Sequence, residues 1–208
     1  MKTHITHPCG AIFLTTLFIV SSALAEDKGK TALSDKTDPA KMAEMMKKVE
    51  AAGTPGAAHK ALEPLVGEWT AEVKSWMSPD APPTVSKGSA KAQWTLNGRF
   101  VREEFKGEMM GKPFQGISLT GYDNQKQKYN SVWVDDMSTA IFASTGTAEG
   151  NGKVITFESK MDCPMTGEKD MPVKQVLRIL SKDKHVFEMH DPRKGENSKT
   201  MEITYTRK

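Results

Sequence analysis

From Leu65 to Lys208 apolar and polar residues take turns in short runs, and turn-forming pairs such as Asn97-Gly98, Asp123-Asn124 and Asn151-Gly152 separate several of them. A period of two places successive side chains on opposite faces, the signature of half-buried strands. The runs predict strands over 68–76, 87–96, 99–107, 114–122, 128–135, 140–146, 153–159, 174–181, 184–190 and 199–207. Trp69, Ala71 and Val73 share a face, as do Ala90, Ala92, Trp94 and Leu96, and Met201, Ile203 and Tyr205. A slip of one residue would expose each set, so these faces are expected to point inward. The run over 99–107 is ambiguous: Val101 and Phe105 share a face with Glu103, whereas Phe100 shares one with Arg102 and Glu104. Regular strands joined by hairpin turns predict an all-β fold, a closed antiparallel barrel of about ten strands, because closure removes exposed edges. Such a barrel either fills with side chains or holds one ligand.

Ahead of the strands the period changes. Met42, Met45, Met46 and Val49 fall at helical spacing opposite Lys41, Lys47, Lys48 and Glu50, with Asp38 as cap, Pro39 at the first position, and Gly53 and Pro55 ending the helix. A short second helix over His59 to Leu62 completes an N-terminal helical segment spanning 38–64. The Met stripe is expected to pack near one end of the barrel, where a flexible thioether fills irregular space, in preference to binding Cu(I). Residues 26–37 are polar, Lys-rich and without an apolar face, and read as a disordered leader. The barrel domain is then 65–208. Two longer loops, Met77 to Ser86 and Met161 to Val173, are candidates for a lid or binding edge.

Residues 1–25 read as a signal peptide: Lys2, an apolar run from Ala11 to Val20, then Ala23-Leu24-Ala25. The run is too short for a stable span, so no membrane insertion is expected after cleavage, and the expected location is periplasmic or secreted. Cleavage removes Cys9 and leaves Cys163 as the one thiol, so no internal disulfide can form. Lys and Arg number 29 against 26 Asp and Glu and form no stripe, which argues against nucleic acid as a partner.

Five segments carry a resemblance: Leu65-Val66-Gly67-Glu68-Trp69, Asn97-Gly98-Arg99-Phe100-Val101, Gly121-Tyr122-Asp123-Asn124, Trp133-Val134-Asp135-Asp136-Met137-Ser138-Thr139 and Met201-Glu202-Ile203-Thr204-Tyr205-Thr206-Arg207. Together they resemble the DUF1579 family of bacterial proteins of unassigned function, over Leu62 to Lys208. That family is similar to the calycin or lipocalin-like barrels, which include lipocalins, fatty-acid-binding proteins and nitrobindins. The resemblance implies that Trp69, in a Gly-x-Trp entry, closes the barrel base and that Arg207 stacks across it, both in a structural role. One departure is Cys163 in Asp162-Cys163-Pro164, where the family more often has a second acid.

No Gly-x-Ser-x-Gly elbow, His-Glu-x-x-His helix or phosphate loop is present, so no catalytic residue is nominated and the enzyme question leans towards no. Glu103 and Glu104 are strand neighbours on opposite faces and cannot act together on one bond. Asp135 and Asp136 could ligate a hard cation, but a hydrogen-bonded turn after the strand is the stronger reading. His190, beside Asp191, is a weak candidate haem or metal ligand, and otherwise neither metal nor cofactor is expected. The expected partner is a small hydrophobic or amphipathic ligand, with Arg102 meeting an anionic group, Trp133 stacking and Asp135 hydrogen bonding. A haem or metal protein, an enzyme, and a filled barrel that binds a partner protein remain alternatives of different kind.

Overall fold

The computed structural model describes residues 38–78 and 81–208. The signal over 1–25 and the leader over 26–37 lie outside the described residues. Ten antiparallel strands follow one another round a closed barrel. They are β1 (Gly67–Ser75), β2 (Thr84–Thr95), β3 (Phe100–Met109), β4 (Lys112–Asp123), β5 (Lys128–Asp135), β6 (Phe142–Glu149), β7 (Val154–Met161), β8 (Met171–Ser181), β9 (Lys184–His190) and β10 (Lys199–Arg207). Each pairs with its neighbours in sequence. The first and last close the ring, from Trp69 opposite Arg207 to Ser75 opposite Met201. Among the described residues no strand edge is left for another chain to pair with.

Strand boundaries run slightly longer than the apolar alternation predicts. β2 begins at Thr84 because its backbone pairs with β1 as far as Ser75, although Thr84 and Val85 are exposed. The Asn97-Gly98 turn adopts the left-handed backbone its sequence asks for, with φ of 56° and 77°. The β4–β5 turn is held by Asp123, whose Oδ1 accepts from the amides of Gln125 (2.8 Å) and Lys126 (3.0 Å). These bonds hold its carboxyl below the usual range.

Helix α1 (Pro39–Gly53) is capped by Asp38, as its sequence predicts, but its Met stripe does not pack. Met42, Met45, Met46 and Val49 are 45–65% exposed. The physical reason lies at the helix end, where carbonyls lacking an intrahelical partner need donors. Asn124 Nδ2 lies 2.8–3.3 Å from the carbonyls of Ala51, Ala52 and Thr54 and anchors that end alone. A short helix, α2 (Ala57–Lys60), and a 3-10 turn over Glu63–Leu65 then plug one end of the barrel. Leu62, fully buried, packs there with Leu65, Val101, Tyr129, Ile155, Phe157, Leu177 and Ile179. A second cluster above it joins Trp69, Ala71, Ala90, Phe105, Ile203 and Tyr205.

Candidate functional site

Inward side chains change character from base to mouth. At the plugged end Trp69, Ile155 and Phe157 have 0–2% of their surface exposed. Towards the other end, positions on the same inner faces are only partly covered: Val73, Phe114, Trp133, Phe142, Phe187 and Met201. The inner surface is therefore sealed below and only partly covered above, in the lumen towards the far ends of the strands, where Val73, Phe114, Trp133, Phe187 and Met201 pack against the Trp69 cluster.

A column of polar and aromatic groups rises from the base into this lumen. The Arg207 guanidinium carbon sits 4.2 Å from the centre of the Trp69 ring. Its nitrogens donate to the carbonyls of Val66 (2.9 Å), Pro64 (3.1 Å) and Lys182 (2.8 Å), tying β10 to the basal plug and the β8–β9 turn. Gly67, at φ 142°, makes room for it, since a Cβ there would lie 2.1 Å from Arg207 Nη1. Trp69 Nε1 donates to the Leu65 carbonyl at 2.9 Å. The edge of His185 meets Trp69 at 4.4 Å between ring centres, and its face stacks on Tyr205 at 4.3 Å. Burial, aided by the charge of Arg207, pushes the His185 pKa down to about 3, so the ring is neutral. Its Nδ1 is buried without a partner. Tyr205 donates its hydroxyl to Glu103 Oε1 at 3.3 Å.

Glu103 is the charged group of this lumen. It stands on the inner face of β3 between Val101 and Phe105, opposite Ala92 of β2 and Ser118 of β4. Protein surrounds it deeply, yet part of its surface stays accessible. Burial pushes its pKa up to about 7, against the smaller opposing effect of the Tyr205 bond. Around it stand aromatic walls: Phe114 lies 6.2 Å from both Phe105 and Trp133. The Trp133 ring lies flat on Gly116, where a Cβ would come within 2.1 Å of it.

The chain matches the family model described as "Protein of unknown function (DUF1579)" over residues 54–207. It belongs to that family. No curated protein matches this DUF1579 chain. Among solved structures it is similar to the Rv2717c protein from M. tuberculosis, at 17% identity and TM-score 0.49 over 74% of this chain and 99% of that one. It is also similar to an S-type phycobiliprotein lyase, CPES, from Guillardia theta (9% identity, TM-score 0.46, 77% and 96% covered). A redesigned β-barrel matches at 14% identity and TM-score 0.38, with 71% and 95% covered. Likeness at this level says nothing of ligand or activity.

In this DUF1579 barrel the three residues predicted to meet a ligand do not converge. Trp133 is inward, and its Nε1 donates to Asp135 Oδ2 at 2.9 Å, so Asp135 orients the indole from the rim. Asp135 also accepts from the Met137 amide at 3.0 Å, and Asp136 from the Gln115 amide at 3.2 Å. The two acids thus form a hydrogen-bonded turn. Arg102 lies on the opposite, outer face of β3, ion-paired with Glu104. It borders an outer groove of about 370 Å³ with Lys106, Gln115, Ile117 and Val134. An Arg102 in the lumen is thereby corrected: the face holding Val101 and Phe105 turned inward, and Arg102 went outward with its neighbours. His190 is also outward, level with Glu188 and 3.6 Å from its Oε2, with Nδ1 3.1 Å from Ser198 Oγ, so it cannot ligate a group in the lumen. Arg178 pairs with Glu188 on that same outer surface at 3.2 Å. Sequence reasoning set Glu103 on one face with Val101 and Phe105 but left the direction of that face open, and named Glu103 for no site. The signal was present in the shared parity of Val101, Glu103 and Phe105.

Proposed function

We propose that this DUF1579 protein is exported and binds a small apolar or amphipathic molecule in the open half of its barrel, without catalysis. One observation carries the reading: side chains on inward faces stay partly exposed towards the mouth, whereas those at the base are sealed. Phe114, Trp133, Phe187 and Met201 would cover a ligand's apolar surface, worth about 25 cal/mol per Å² removed from water. The rigid base and closed ladder hold these walls in place before the ligand arrives, which lowers the ordering cost of binding. Export rests on the pattern of residues 1–25.

Native mass spectrometry of the protein recovered after export tests both halves of the proposal. The expected result is a chain beginning at Glu26 that carries a small molecule released by organic solvent. A chain that retains residues 1–25 inside the cell would overturn export. A preparation that holds no small molecule and takes up no apolar fluorescent probe would overturn binding and leave the filled-barrel alternative.

A further inference from the structure

The inner surface has an uneven charge inventory. Between the basal layer and the rim, the described inward positions carry the carboxyls of Glu103 and Asp135 and no lysine or arginine. Arg207 is committed to Trp69 and three backbone carbonyls at the base. Arg102, Arg178 and Lys199 pair with Glu104 and Glu188 on the outside. Glu103 uses one long hydrogen bond, from Tyr205, and a carboxylate has room for about three more. Below it the buried Nδ1 of His185, a residue 3% exposed on the inner face, also lacks a partner. The faces of Phe105, Phe114 and Trp133 offer the negative side of their quadrupoles to a cation. An anion would meet a carboxyl and no compensating charge.

We infer that the lumen is built for an amphipathic cation, an ammonium or comparable N–H donor on an apolar tail, with Glu103 as its counter-ion and Trp133 and Phe114 along the tail. The inference deepens the binding function proposed above and rests on it. It reverses the polarity that an inward Arg102 would have implied. The groups facing Glu103 do not compete for this role. Tyr205 of β10 stays protonated, His185 of β9 stays neutral, and Asp135 of β5 is engaged by Trp133 and the Met137 amide. β1, β2 and β4 present Ala71, Ala92 and Ser118.

Calorimetric titration of the whole exported protein with octylammonium, octanol and octanoate, well above pH 7, tests it. Octylammonium is expected to bind about ten-fold tighter than octanoate, and Glu103→Gln to abolish that preference. Near pH 7 octylammonium binding to the unmodified protein should release protons, seen as a heat that varies with the buffer; this readout needs no variant to fold. Octanoate binding as tightly as octylammonium, a preference that survives in Glu103→Gln, or binding without proton release would each overturn the inference and leave lumen binding standing. If none of the three probes binds, the lumen function fails and the inference with it.

Discussion

Glu103 holds its proton more tightly in the folded chain than in the unfolded one, because its ionised form would be buried with a single hydrogen bond. The folded pKa is about 7 against an ordinary 4.5, so between these values the folded chain binds more protons and stability falls as pH rises. The full cost above pH 7 is roughly 3 kcal/mol at most. Glu103→Gln is therefore expected to gain stability over the unmodified protein from pH 4.5 upward and to level off above about 7, in urea titrations across that range. A difference independent of pH would place Glu103 in contact with bulk water. His185 works in the opposite sense. Its folded pKa of about 3 lies below the ordinary 6.5, so the unfolded chain takes the proton first and stability is lost as pH falls through 6.5.

In the strands, flat rings stand against glycines. Phe105 covers Gly88 and Gly107, Phe157 covers Gly146, and Trp133 covers Gly116. Each pairing lets a large side chain lie along the wall instead of crossing the lumen. Gly116→Ala would drive a methyl to 2.1 Å from Trp133 Cζ2, so the indole must leave the wall. A loss of about 1–3 kcal/mol is expected. A shift in the emission of Trp133 is expected as well, read in a background where the other three tryptophans are replaced by phenylalanine. Unchanged emission would mean that the wall, and not the ring, gives way. The helix shows what periodicity leaves open. Its spacing and caps were legible, but an apolar stripe states only that some partner is needed, and the barrel supplies Asn124 to the helix end and nothing to the stripe.

In the whole barrel the β1–β10 ladder closes the ring, and Arg207 ties that seam to the basal plug and the β8–β9 turn. Arg207→Ala would uncover Trp69 and leave three carbonyls without their donor, for a loss of about 2–4 kcal/mol in equilibrium unfolding. Arg207→Lys should recover little of it, because one ammonium cannot reproduce a planar fork that reaches three carbonyls while lying over an indole. A lysine variant as stable as the unmodified protein would show that charge alone matters there. The strand ladder and its turns could be read from residue order, because alternation and turn chemistry act over a few neighbouring residues; the basal Trp69–Arg207 pair was implied by the family resemblance, and the structure shows it. Parity in β3 likewise showed that Arg102 and Glu103 must face opposite ways. Which of them turned inward depended on partners far along the chain: Ala90 and Ala92 on one side and Gly116 on the other leave space beside Phe105 and Glu103. Whether an inward side chain meets packed neighbours or an open lumen is a matter of volumes contributed by ten separate strands, and no local pattern carries that sum.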